Sequence, residues 1–225
     1  MNYKRLHELF KEFAEYIESL HTLYLDCIAG FGILYERLTK HQNNIKLILG
    51  EDDCAKESFQ DQCSLTYEYI CGQDFQPASL DPLMKQGDIK ERTKQNGKNY
   101  FLSGNQCIVS AYAYWDEYLR FEIGKALGAL GPNAKNTGES KKRLNIHVNS
   151  DFWGDIRYLR QSILHHNGIA ISDVSKCKLL KWFQPGDKIE LDYQKMREIF
   201  SGMADCRNEI GRLSLPPSDA KFPST

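Results

Sequence analysis

The stretch Tyr158–Ala170, YLRQSILHHNGIA, places an arginine, a histidine five positions later, a second histidine, and then Asn167-Gly168. Arginine stays protonated and presents a planar fork to phosphate oxygens, so it stabilises charge but does not serve as a base. Histidine titrates near neutrality and can take or give a proton. Arg160 and His165 supply one of each. These two properties suit cleavage of RNA by its own 2′-hydroxyl. The nucleophile is tethered beside the phosphorus, so no water has to be activated and no metal has to be held. Such a reaction needs a base, an acid for the leaving oxygen, and a fixed positive charge for the phosphorane. The same residues also have a structural reading. Asn-Gly stops helices because either residue can adopt the left-handed conformation, and histidines in a last turn suit the negative end of the helix dipole.

Geometry constrains the catalytic reading. Five residues on an ideal helix turn through about 500°, so Arg160 and His165 point about 140° apart. Two arrangements reconcile them. The helix can loosen near Asn167, or a two-fold dimer can pack two helix ends together and set two arginines and two histidines around one cleft. The dimer also solves the acid–base problem, because one histidine does not easily act as both in a single step.

These residues need a scaffold, and the apolar periodicity predicts a helical one. Leu6, Phe10, Phe13, Ile17, Leu20, Tyr24, Cys27, Phe31, Leu34 and Leu38 recur in steps of four and three, which predicts one long helix, or two collinear ones, from about residue 2 to 40. This seam needs a partner helix or a partner subunit, and Gly30 and Gly32 offer a bend or a close approach. Residues 50–100 are polar and interrupted by Pro77, Pro82, Gly87 and Gly97, so they read as an insertion with one short helix near Phe59–Ile70. The run Lys85–Lys98 carries five basic and two acidic residues, a local +3 (5 − 2). It is either a solvated loop or a phosphate-attracting arm.

A second helix is expected from about Ser103 to Leu130, ended by Gly131-Pro132, and NAKNTGESKKR after it reads as a loop. A third, capped by Ser150 or Asp151, carries Phe152, Ile156, Leu159 and Ile163 on its buried face and ends near His166. A shorter helix over Val174–Phe183, a last one from Asp192 to about Ile210, and a frayed tail complete an all-α helical bundle.

Composition narrows the function classes. A net charge of −1 argues against a polycation that coats nucleic acid, while leaving room for a local basic site. The seven cysteines are odd in number and none are spaced C-x-x-C, so reduced cytoplasmic thiols are expected rather than a zinc site or a disulfide framework. The opening residues lack the apolar core of a signal peptide. The most apolar run, Leu23–Leu34, is short for a bilayer and contains Asp26. GFGILY lacks the third glycine of a dinucleotide fingerprint and lies within the helical seam. Trp115 and the tyrosines of AYAYWDEYLR fall at core spacing rather than forming a base-stacking platform.

Arg160-Gln161-Ser162-Ile163-Leu164-His165 resembles the R-x4-6-H motif of the HEPN superfamily, in which the residue after the arginine is usually polar. Gln161 fits, where asparagine or aspartate is more typical. Gly104-Asn105-Gln106 followed by IVSAYAYWDEYLR is similar to the earlier core helix of these proteins, with Asp116 where glutamate is usual. The resemblance is to stand-alone bacterial members and covers mainly Phe101 to Arg212. It implies a four-helix HEPN-like core preceded by a long N-terminal helix and a polar insertion, in one domain over residues 1–225. It implies a metal-independent endoribonuclease without a cofactor, acting as a toxin or antiviral-defence effector. A homodimer through the motif-bearing helices is expected, with RNA as substrate, an antitoxin or defence-system partner, and no membrane. Arg160 and His165 would be catalytic, with Gln161, His166, Asn167 and Asp116 in supporting or RNA-binding roles. Other members of the superfamily have lost catalysis and act as modules that bind RNA, a nucleotide or a protein.

Overall fold

The computed structural model describes residues 1–71 and 83–213. Pro77 and Pro82 of the polar segment, and the tail beyond residue 213, lie outside the described residues. In chain order the helices are α1 (Tyr3–Leu49), α2 (Glu57–Gln60), α3 (Tyr67–Cys71), α4 (Gln86–Thr93), α5 (Lys98–Tyr114), α6 (Arg120–Ala126), α7 (Gly138–His147), α8 (Asp151–His165) and α9 (Tyr193–Leu213). Among the described residues, β structure is confined to the two-residue pair β1 (Ser64–Leu65) and β2 (Met84–Lys85) and a bridge between Ile169 and Lys188. The fold is all-α. The chain divides into two compact units, Met1–Thr22 with Asn105–Thr225, and Leu23–Gly104.

The first unit packs the start of α1 with α5, α6, α8 and α9. Leu6, Phe13, Ile17 and Leu20 of the apolar seam are buried here, against helices of the same chain. The Phe13 ring lies 6.1 Å from Tyr114 and 6.3 Å from Trp153, and Tyr16 stacks on Tyr114 at 4.0 Å. Trp115 stacks on Trp153 at 4.9 Å with planes 6° apart, which joins the α5–α6 helix to α8. On the far side, α9 approaches α8 at Gly202. A Cβ there would lie 2.3 Å from Cε2 of Phe152, so the absence of a side chain is what lets the phenyl ring seat. The core reading of Trp115 holds.

Between α5 and α6 the helix passes through one π-helical turn, Trp115–Leu119. Such turns insert a residue into the ladder and recur at functional positions. Trp115 and Leu119 both remain buried across it.

Two local expectations are corrected in this unit. The segment read as a loop forms α7 from Gly138 onward, because Thr137 caps it by accepting the Ser140 N–H at 3.3 Å and Leu144 is buried against Gly124. The helix expected over Val174–Phe183 is only a 3-10 turn, Ser172–Lys176. The Asp155 carboxylate takes the N–H groups of Lys178, Leu179 and Leu180 that a helix would have used internally.

In the second unit, α1 runs without interruption through Gly30 and Gly32 to Leu49, and a Cβ at either glycine would meet nothing within 4 Å. Neither a bend nor a close approach is present at these glycines. Leu38, Ile70 and Ile89 are buried together, with Leu34, Leu65 and Met84 around them. The segment Lys85–Lys98 is not a solvated loop throughout, and only residues 94–97 are turn. It forms β2 and α4, and Lys90 is buried, donating to Gln42 Oε1 at 2.9 Å and pairing with Glu57 and Asp61. Burial opposes the Lys90 charge, but the hydrogen bonds it donates to the Glu57 and Asp61 carboxylates, with their charges, outweigh it and raise its pKa.

The continuity of α1 also alters one reading of the sequence. An 18-residue window of this helix has mean hydropathy 1.2 and is 17% buried, so by length and composition α1 is apolar enough to cross a bilayer.

Candidate functional site

The motif helix α8 is capped by Ser150, whose hydroxyl accepts the Trp153 N–H at 3.5 Å. It buries Phe152, Trp153, Asp155, Ile156, Leu159 and Ser162. The expected seam is therefore the packed face, with Asp155 and Ser162 as two polar members that the periodicity did not mark as structural.

Ser162 is wholly buried and organises the helix end. Its Oγ donates to the Tyr158 carbonyl at 2.9 Å and accepts the Ile171 N–H at 3.1 Å. Its carbonyl accepts the N–H groups of both His166 and Gly168, at 3.2 and 3.1 Å. Asn167 and Gly168 both take the left-handed conformation, φ 53° and 76°, so the stop read from Asn-Gly is present. The departing chain then pairs with residues 186–189: Ile189 N–H donates to the Gly168 carbonyl at 2.7 Å, and Ala170 N–H to the Asp187 carbonyl at 2.8 Å.

This rooted end carries the candidate residues. His165 is the last residue of α8 and is exposed, as are Gln161, His166 and Asn167. His166 caps the helix with non-helical angles, φ −128° and ψ 25°. Because α8 remains regular through His165, loosening does not bring His165 round to Arg160, and the offset of about 140° stands within one chain.

Arg160 is half-buried and faces α5. Its guanidinium lies 5.9 Å from the Tyr112 ring centre, a cation–π distance. Its Nε is buried without a hydrogen-bond partner among the described residues. Burial pushes the Tyr112 phenol upward in pKa and the Asp116 charge adds to this, while Arg157, Arg120 and Arg160 oppose it. Three arginines thus converge electrostatically on one phenol. Asp116 lies at 3.6 Å from Arg120 and 3.7 Å from Lys141, so it serves the i,i+4 pairing and does not reach the motif arginine by any ion pair.

Beside this cluster, a cleft of ≈ 280 Å³ opens among α8, the π turn, the end of α7 and the segment 176–178, lined by residues that include Tyr112, Arg120, Asn149, Arg157, Lys176 and Lys178. One wall is fixed by Asp155. This side chain is 2% exposed, and its carboxylate accepts the Lys178 N–H with both oxygens (2.9 and 3.1 Å), Leu179 N–H at 2.7 Å and Leu180 N–H at 2.9 Å. The spacing of apolar residues gave no sign of this cradle or of the cleft. Asp155 falling on the packed face of the helix was the only signal available.

Among the described residues no three His, Cys, Asp or Glu side chains group as metal ligands. None of the seven cysteines is joined in a disulfide, and Cys177 and Cys206 are driven up to about 12 chiefly by burial. Comparison with protein-family models, with curated proteins and with solved structures gives no match for this chain.

Proposed function

We propose that this chain is a HEPN-type endoribonuclease that needs no metal or cofactor, that its active form is a homodimer joined across the ends of α8, and that it acts in the cytoplasm as a toxin or antiviral-defence effector. The observation that carries the reading is the end of α8. An exposed histidine and an arginine with no ion-pair partner among the described residues share one helix end that Ser162 and residues 186–189 hold fixed. Arginine keeps a fixed positive charge and a planar fork, which suits the terminal nitrogens of Arg160 to hold a phosphate.

In the proposed reaction, His165 of one protomer takes the proton of the ribose 2′-hydroxyl as its oxygen attacks the adjacent phosphorus. The bond from phosphorus to the 5′-oxygen breaks, and the leaving oxygen receives a proton from the second His165. Products are a 2′,3′-cyclic phosphate and a free 5′-hydroxyl. Arg160 stabilises the charge on the phosphorane, Gln161 orients the phosphate or ribose, and Asn167, with His166, supports the turn beside it. The packing of the start of α1, α5–α6, α8 and α9 supports the four-helix HEPN-like core on which this reading depends.

One observation favours a non-catalytic binding module as the second reading: within a single chain, Arg160 and His165 do not face each other. A test separates the two. Purified protein is incubated with total RNA in excess EDTA beside His165→Ala. Cleavage by the unaltered protein alone, leaving cyclic-phosphate ends, is expected. Cleavage that vanishes with EDTA, or persists in His165→Ala, would overturn the proposal. RNA binding that is lost in Arg160→Ala but kept in His165→Ala, without cleavage, would support the module instead.

A further inference from the structure

The exposed face of α8 that carries His165 also carries an arginine, and it is not the arginine of the motif. Arg157, Gln161 and His165 stand at i, i+4 and i+8. Each step turns the helix by about 40° and advances about 6 Å, so the three form one shallow stripe about 12 Å long. All three are exposed. Arg160 is rotated about 60° from Arg157, toward Tyr112, where its Nε is buried.

We infer that Arg157 is a further RNA-binding residue, holding a phosphate that flanks the scissile one at the mouth of the cleft. The inference rests on the ribonuclease reading.

The charge at Arg157 is available. The other cations lining the cleft are committed: Arg120 pairs with Asp116, Lys176 with Asp173 at 2.6 Å, and Lys178 with Asp151 at 2.7 Å. Among the described residues Arg157 forms no ion pair, and its guanidinium lies 4.9 Å from the Tyr158 ring centre. A guanidinium stacked on an aromatic face keeps its fork edge open to an anion.

Direction and distance assign the phosphate. Side chains on a helix lean toward its N-terminus, so the Arg157 guanidinium moves away from His165 and over the cleft that it lines. A separation of about 12 Å along the helix is too long for both groups to meet one phosphate. The scissile group therefore belongs to the His165 end of the stripe, and Arg157 takes a neighbour. Tyr112, raised in pKa by burial, keeps its O–H at neutral pH as a donor beside the same cleft. Asp155, two residues before Arg157, fixes the opposite wall through the amides of residues 178–180.

The test measures binding separately from cleavage. A fluorescent single-stranded oligoribonucleotide made uncleavable by 2′-O-methylation is titrated with unaltered protein, Arg157→Ala and Arg157→Lys across a range of salt. Each phosphate contact to a single strand contributes about 0.7 to the slope of log K against log salt. Arg157→Ala should weaken binding and reduce the slope by about 0.7. Arg157→Lys should restore the slope, because it keeps the charge. In cleavage of the unmodified RNA, Arg157→Ala should raise KM severalfold and leave kcat within twofold. An unchanged slope in Arg157→Ala, with RNA still bound and cleaved, overturns this assignment and leaves the ribonuclease reading intact. A loss of kcat at saturating RNA places Arg157 in the chemical step and also overturns it. Failure of the unaltered protein to bind RNA at all removes both.

Discussion

Ser162 and Ile171 are joined by a hydrogen bond from the Ile171 N–H to the Ser162 hydroxyl, 3.1 Å long, across the turn that ends the motif helix. The same hydroxyl donates back to Tyr158. The chain leaving α8 is thereby tied to the helix one turn before His165. Ser162→Ala removes a wholly buried hydroxyl with both of its hydrogen bonds and leaves the Ile171 N–H unsatisfied, which should cost about 1–3 kcal/mol. Urea unfolding measures this. On the ribonuclease reading proposed above, cleavage of RNA by the folded variant should also fall, because the position of His165 depends on the tie. Equal cleavage by Ser162→Ala and unaltered protein at full folding would show that the helix end needs no such anchor.

Asp155 is the larger structural commitment. Its carboxylate holds three backbone N–H groups and is almost fully buried. Asp155→Ala strands those donors and should destabilise the protein by about 3 kcal/mol or more. Asp155→Asn keeps a single carbonyl acceptor and should cost less, about 1–2 kcal/mol. Hydrogen exchange at residues 178–180 should rise in both variants, and protection unchanged in Asp155→Ala would contradict the cradle.

Gly202→Ala tests the packing of α8 on α9. The new methyl would sit 2.3 Å from the Phe152 ring, so the ring or the helix must move. Overpacking of this kind costs about 1–3 kcal/mol. Phe152→Leu in the same chain should recover part of the loss, and a double-mutant cycle reads the coupling. Additive effects would mean that the two sites do not touch.

Stability should fall in alkali. Burial raises Cys177 and Cys206 from an ordinary 9.0 to about 12, and Tyr114 from 10.0 to about 12. A group whose folded pKa lies above its unfolded value binds its proton more tightly when folded. Its contribution is complete below the unfolded pKa and is lost as pH rises through the folded one. The loss should therefore run from about pH 9 to pH 12 for these groups. Thermal midpoints measured across that range should decline, and the decline should shrink in Cys177→Ala. For the same reason, Cys177 and Cys206 should resist alkylation at neutral pH until the protein unfolds.

The sequence by itself determined the helical class and its main elements. Apolar residues at steps of three and four mark which side of a helix leaves water, and most seam residues of α1, α5–α6 and α8 are buried, with Phe10, Cys27, Phe31, Leu34, Tyr112, Leu127 and Ile163 partly so. It also determined the end of α8, because the left-handed angles at Asn167 and Gly168 depend on local residue type. Local propensity gave the wrong state where a distant group competed for the backbone. Val174–Phe183 has helical character, yet Asp155 captures its amides from a helix more than twenty residues away. Lys85–Lys98 looks like a solvated basic run, yet Glu57, Asp61 and Gln42 converge on Lys90 and bury it. The motif residues were legible as types and as an angular offset. What only the tertiary structure decided is their surroundings. Arg160 is directed to Tyr112, Arg157 shares the open face with His165, and a cleft lies beside them. Spacing along one helix fixes the angles between its own side chains, but which of those angles face solvent is set by the other helices packed against it.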